Sequence, residues 1–229
     1  MAITRDDVIH TAIQLLHEVG LDGLTLRRLA NEMGISAPTL YWHVRDKREL
    51  LDLMADTMMV DQRAMQPPFP EGLQWWEIIA EGMRRQYSAL LAYRDGARVV
   101  AGNRPTDSAL PVIERYLKVW IDAGFSPQES IATLLSFGDF VVGSALEHQA
   151  EAERQRLQTA TELADVWTAM EIYPILHAAA KARAALPHAD GFEHGLGLLI
   201  AGLRQRQAEL VAAVQTAAAS PRPIASNSN

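Results

Sequence analysis

The chain has 229 residues, of which 48% are hydrophobic and 21% charged, and it has no cysteine. That describes a globular protein of one or two domains with a sizeable core; it excludes disulfides and thiolate metal sites and suits a cytoplasmic home. The net charge of −7 argues at first against nucleic acid, but Thr25 to Arg48 holds five basic residues against two acidic ones, and phosphate contact depends on local charge.

The first element is predicted from Thr4 and Asp7, a capping-box pair, with Val8, Ala12, Leu15, Leu16 and Val19 at helical spacing until Gly20. Thr25 caps "LRRLANEM", Gly34 ends that helix, and Ser36 caps a short one with Pro38 in its first turn, where proline is tolerated. Asp46 with Glu49 forms another capping box, opening a helix through Leu50, Leu51, Met54 and Met58. "MQPPFPEG" (65–72) breaks the pattern and is the expected boundary, giving a head at 1–63 and a body at 73–215. The body is predicted as helices at about 73–92, 107–123, 127–152, 163–183 and 191–215, with a short turn of helix at 95–101. The tail from 216 to 229, ending "SPRPIASNSN", is expected to be disordered. No apolar run reaches the roughly 18–20 residues that cross a bilayer. The fold class is therefore all-α.

Two short helices separated by "MGIS" match a helix-turn-helix. Leu40 and Val44, four apart, turn inward against Leu26, Leu29, Ala30 and Ile35. Thr39, Tyr41, Trp42 and His43 then face partly or wholly outward. Hydroxyl and imidazole groups suit phosphates and base edges, and Trp42 and the Pro38 ring suit thymine methyls or sugars. The opposing reading is that Tyr41 and Trp42 seal a small core. Catalysis is not expected: the chain has no G-x-S-x-G, G-x-G-x-x-G or H-E-x-x-H, and "LEHQAEAE" reads as a solvated acidic helix end rather than a metal site.

"GLTLRRLANEMGISAPTLYWHVRDKRELLD" resembles the DNA-binding region of the TetR family, and "LLAYRDGARVVAGNRPT", "AGFS" and "FVVGSALEHQ" extend the likeness to its tetracycline-repressor-like subgroup. The resemblance implies a three-helix DNA-binding head on a larger helical ligand-binding and dimerisation body. It also implies a homodimer paired through the helices at 127–152 and 191–215, and a palindromic double-stranded DNA operator released by a small organic effector. Carried over residue by residue, the DNA contacts fall on Thr25, Arg27, Pro38, Thr39, Tyr41, Trp42, His43 and Lys47. Arg27 suits guanine, which a guanidinium meets bidentately, or phosphate; Lys47 suits phosphate. Ala37 stands where the subgroup has a glutamine, so adenine readout there is lost.

The effector region departs further. Where the subgroup holds magnesium and drug with histidines, an asparagine and a phenylalanine, this chain has Ala64, Gly82, Gln86 and Val100. Valine cannot ligate a hard cation, so neither metal nor cofactor is expected and magnesium–tetracycline is disfavoured. The expected lining is Gln86, Asn103, Arg104, Tyr116, Trp120, Phe137, Phe140 and Glu147, which suits a hydrophobic organic ligand. The competing function is a DNA-binding or helical interaction module without any effector. The small residues Ser136, Gly138, Val141, Val142 and Ala145 are expected to line a homodimer face.

Overall fold

The computed structural model describes residues 3–65, 67–157 and 159–219, and every regular element among them is a helix. In α1 (Arg5–Gly23) Thr4 and Asp7 close the capping box reciprocally, at 3.2 and 2.8 Å. Gly20 takes φ 70°, a left-handed value that glycine alone adopts without steric penalty, and kinks the helix there. α2 (Leu26–Glu32) and α3 (Ala37–Tyr41) start at Thr25 and Ser36, whose hydroxyls accept from Arg28 N–H and Thr39 N–H. At α4 (Lys47–Met65) the expected capping box forms only by half. Asp46 accepts Glu49 N–H, but the Glu49 carboxylate takes Arg45 N–H at 2.7 Å and an ion pair from Arg5. Leu16, Leu29, Leu40, Val44, Leu50 and Met54 are buried together and make the head's core.

The body comprises α5 (Trp75–Leu91), α6 (Gly96–Val100), α7 (Leu110–Asp122), α8 (Pro127–Leu157), α9 (Ala160–Met170), α10 (Pro174–Ala184) and α11 (His188–Ala219). Its core is built from Ile79, Leu90, Trp120, Phe137, Val141 and Leu196, with α8 packed on α5, α7, α6 and α11. The two cores touch: Met59 and Val100 pack against both, and Tyr93 and Val99 of the body lie in the head's core.

Three expectations need correction. The single helix predicted at 163–183 is two, broken at 171–173, because a proline ring clashes with helical backbone on the residue before it; Tyr173 takes φ −117°, ψ 81°. Residues 216–219 are not part of a disordered tail: α11 continues through Ala219, and the rest of the expected tail, 220–229, lies outside the described residues. The proposed homodimer stripe also splits, since Val141 and Ala145 are fully buried in the chain's own core while Ser136 is exposed. By length and composition α8 would suffice to cross a bilayer, but its Phe137–Val141–Ala145 line packs into the body.

Candidate DNA-binding surface and effector region

α3 is five residues long, and burial sorts the side chains in it and just after it cleanly. Leu40 and Val44 are buried; Pro38 and Thr39 are exposed, Tyr41 is 54% exposed and Trp42 88% exposed. An indole left that open does not seal a core. Its position is fixed by backbone bonds from Trp42 N–H to Thr39 O and from His43 N–H to Leu40 O. Thr25 and Arg27 are exposed on the adjoining α2 side, and His43 is half-buried. Lys47 donates to Leu21 O at 3.2 Å, so its ammonium is already anchored to the end of α1. Beside Tyr41, Trp42 and His43 a shallow hollow of about 200 Å³ also takes in Arg5, Arg45 and Glu49. Arg45 counted toward the local charge but had no other signal. Arg5 joins only through its ion pair with Glu49, 44 positions away.

The head is tied to the body through the segment around α6. Asp95 sits at φ 56° and its carboxylate accepts Leu21 N–H at 2.8 Å, while Arg98 bridges Asp22 and Asp95. Arg94 donates to the carbonyls of His17 and Glu18 at the end of α1. On the α4 side Asn103 Nδ2 donates to Leu51 O, Arg104 N–H reaches Asp52, and Thr106 and Ser108 donate to Asp56. From α8, Gln149 donates to Leu90 O and Tyr93 O and accepts Ala97 N–H. The segment around α6 is therefore bonded to α1, α4 and α8 together.

An open cavity of about 430 Å³ lies between α5, α8, α10 and α11. Tyr87 and Phe192 stack at 4.0 Å on its wall, and Tyr87 Oη lies 2.7 Å from His148 Nδ1. Burial raises the Tyr87 phenol above its ordinary pKa. Asp139, Glu147 and Arg183 add charge around it.

Comparison with known proteins agrees with this architecture at both ends. Residues 8–54 match the family model for bacterial regulatory proteins of the tetR family, and residues 67–207 match the tetracyclin repressor-like C-terminal domain. The chain belongs to the TetR family. It is 36% identical over 200 residues to the class A tetracycline repressor protein from transposon 1721 of Escherichia coli, covering 87% of this chain and 90% of that protein. Apo ActR of Streptomyces coelicolor superposes with a TM-score of 0.77 at 28% identity, covering 91% of this chain and 99% of the other. ActR in complex with (S)-DNPA gives a TM-score of 0.72 at 29% identity, covering 90% and 99%. The family consists of transcriptional regulators, not enzymes.

Within this TetR-family body the expected effector residues do not form one wall. Glu147 and Phe140 line the open cavity. Trp120 and Phe137 are buried edge-to-face at 6.2 Å in the core, and Gln86 is half-buried on α5. Asn103 is spent on α4 and α6 backbone, and Arg104 is exposed beside it. Tyr116 lies directly over Gly82, where an added Cβ would sit 2.3 Å from its Oη. Val100 is wedged between the two cores and has no donor atom, and no group of three His, Asp or Glu among the described residues could hold a metal ion. The magnesium site that the subgroup implies does not fit these residues. Tyr87, His148, Arg183 and Phe192 were not singled out from the sequence. Tyr87 and Phe192 have the pattern of core aromatics and Arg183 that of a helix-end cation, so no local signal distinguishes them.

Proposed function

We propose that this TetR-family regulator binds a palindromic operator as a homodimer, represses transcription there, and lets go when a small aromatic effector enters the body. The observation that carries the DNA reading is the exposed Thr39–Tyr41–Trp42 face above buried Leu40 and Val44, with Thr25 and Arg27 beside it. Support for the homodimer comes from α8 and α11. Ile131, Leu135 and Leu198 are exposed, and Gly138, Gly197 and Gly202 have no atom within 4 Å of where a Cβ would stand, leaving room for close helix approach. An effector other than magnesium–tetracycline is favoured by Val100, which cannot ligate. The α6 ties give the effector a route to the head, since two half-sites about one helical turn apart tolerate little change in spacing. A hundredfold loss of operator affinity requires the effector to prefer the released state by about 2.7 kcal/mol.

Footprinting locates the operator, and fluorescence anisotropy then compares it with scrambled DNA at several salt concentrations. Affinity should fall steeply with salt, and Arg27→Ala should lose about 1–3 kcal/mol on the operator while relaxing preference at one base pair per half-site. Equal loss on both DNAs would make Arg27 a phosphate contact, and a monomer by light scattering at micromolar concentration would sink the dimer. A body that no aromatic ligand stabilises against heat would favour the effector-free module instead.

A further inference from the structure

Beside the exposed Thr39–Tyr41–Trp42 face the head holds two arginines on one carboxylate. Arg5 opens α1, Arg45 lies just before α4, and Glu49 in the first turn of α4 bonds both. Glu49 Oε1 takes the Arg5 guanidinium, while its Oε2 accepts Arg45 N–H at 2.7 Å and Arg45 Nε–H at 3.0 Å. Spent this way, Glu49 does not close the α4 capping box, and Asp46 alone caps it through Glu49 N–H.

The Arg5 bond ties α1 to α4, which is a structural task. The Arg45 side-chain bond ties no second element: its partner is four residues further along the chain, and the side chain stays 82% exposed. A surface pair of that kind adds little stability. What it does is fix where the guanidinium lies. With only Nε engaged, both Nη groups are left open, the edge that meets two phosphate oxygens in parallel. Arg5 is likewise bonded through Nη2 alone, and neither guanidinium has another partner among the described residues.

Both arginines line the hollow of about 200 Å³ that also takes in Tyr41, Trp42 and His43. Two guanidiniums against one carboxylate leave the hollow positive, and it adjoins the side chains that the DNA reading sets in the groove. Lys47, the cation that the family resemblance gives to phosphate, is half-buried and donates to Leu21 O instead.

We infer, on the operator-binding reading proposed above, that Arg5 and Arg45 form a phosphate clamp positioned by Glu49. The hollow receives one DNA backbone phosphodiester per chain, with Arg45 taking both of its free oxygens and Arg5 sharing one. Such a contact fixes the register of the head on the duplex and reads no sequence.

Fluorescence anisotropy with the full chain tests this, on the footprinted operator and on a random duplex of the same length, over a series of chloride concentrations. Arg45→Gln should weaken both duplexes about tenfold and flatten the slope of log affinity against log salt by about 0.9 for each chain bound. Arg5→Gln should act in the same sense. Both side chains are substantially exposed, and circular dichroism checks that the variants fold. Ethylation interference on the operator should find one phosphate per half-site whose blocking weakens the wild type and no longer matters to Arg45→Gln. In a Glu49→Gln background, Arg45→Gln should cost no more than about threefold, because the guanidinium is no longer held. A salt slope unchanged in the double arginine variant overturns the clamp while DNA binding by the wild type stands. So does a slope that falls with every interfering phosphate retained, which is long-range charge alone. The full Arg45→Gln loss in the Glu49→Gln background overturns the positioning role of Glu49. A wild type that binds neither duplex overturns the operator reading and the clamp together.

Discussion

Replacing Gln149 with leucine tests whether α6 is held in place by the body. Five residues cannot sustain a helix in water. The Gln149 amide donates to Leu90 O at 3.1 Å and Tyr93 O at 2.9 Å, and accepts Ala97 N–H at 3.3 Å. Leucine has a similar volume, so the loss is polar rather than a cavity. Tyr93 O keeps a second donor in Gly96 N–H, but the Leu90 carbonyl and Ala97 N–H, in two fully buried residues, lose this partner. Three bonds at about 1 kcal/mol each, with two groups stranded, give about 3–5 kcal/mol. In a chain of this size about 3 kcal/mol lowers the unfolding midpoint by about 6–12 °C. Circular dichroism melting at fixed protein concentration measures this, and hydrogen exchange at Ala97 reports whether α6 itself loosens. Gln149→Glu retains an acceptor but turns an anionic oxygen toward two carbonyls, so it should be no better than leucine. A fall of under about 2 °C with unchanged exchange at Ala97 would refute the reasoning, because α6 would then be held by its ties to α1 and α4.

Trp42→Ala should change unfolding free energy by no more than about 0.5 kcal/mol in urea titrations, since the indole is 88% exposed. Leu40→Ala, two residues away and buried, should cost about 2–5 kcal/mol in the same assay. Gly96→Ala should lower the midpoint by about 1–3 kcal/mol in equivalent stability, because its Cβ would lie 2.3 Å from the Leu90 carbonyl oxygen, which belongs to rigid backbone. The Glu49 carboxyl is held below its ordinary pKa, first by Arg45 N–H and also by the charges of Arg45 and Arg5. Its contribution to stability is therefore full above the unfolded value of about 4.3 and is lost as pH falls through the lowered folded value, and Glu49→Gln should flatten that part of an acid titration.

The head was legible because its determinants are local. Thr4 with Asp7, Thr25 and Ser36 act over three residues, and the inward pair Leu40 and Val44 is a matter of helical period, so the sequence itself announces where each helix starts and which side chains it buries. The family motif lies on the same stretch and points to the same surface. The body was legible only as a run of helices. Its clearest misread boundary is at Pro174, where a proline acceptable in a first turn hid the break imposed on Tyr173. Tertiary structure alone decided which way the small residues of α8 face, since Val141 and Ala145 have the same signature against their own core as against a partner. It alone brought Arg5 to Glu49, laid Tyr116 over Gly82, and joined Tyr87, His148 and Phe192 around one cavity. Those contacts depend on how helices cross, and a crossing is set by the summed shapes of two surfaces far apart in the chain, which no local pattern encodes.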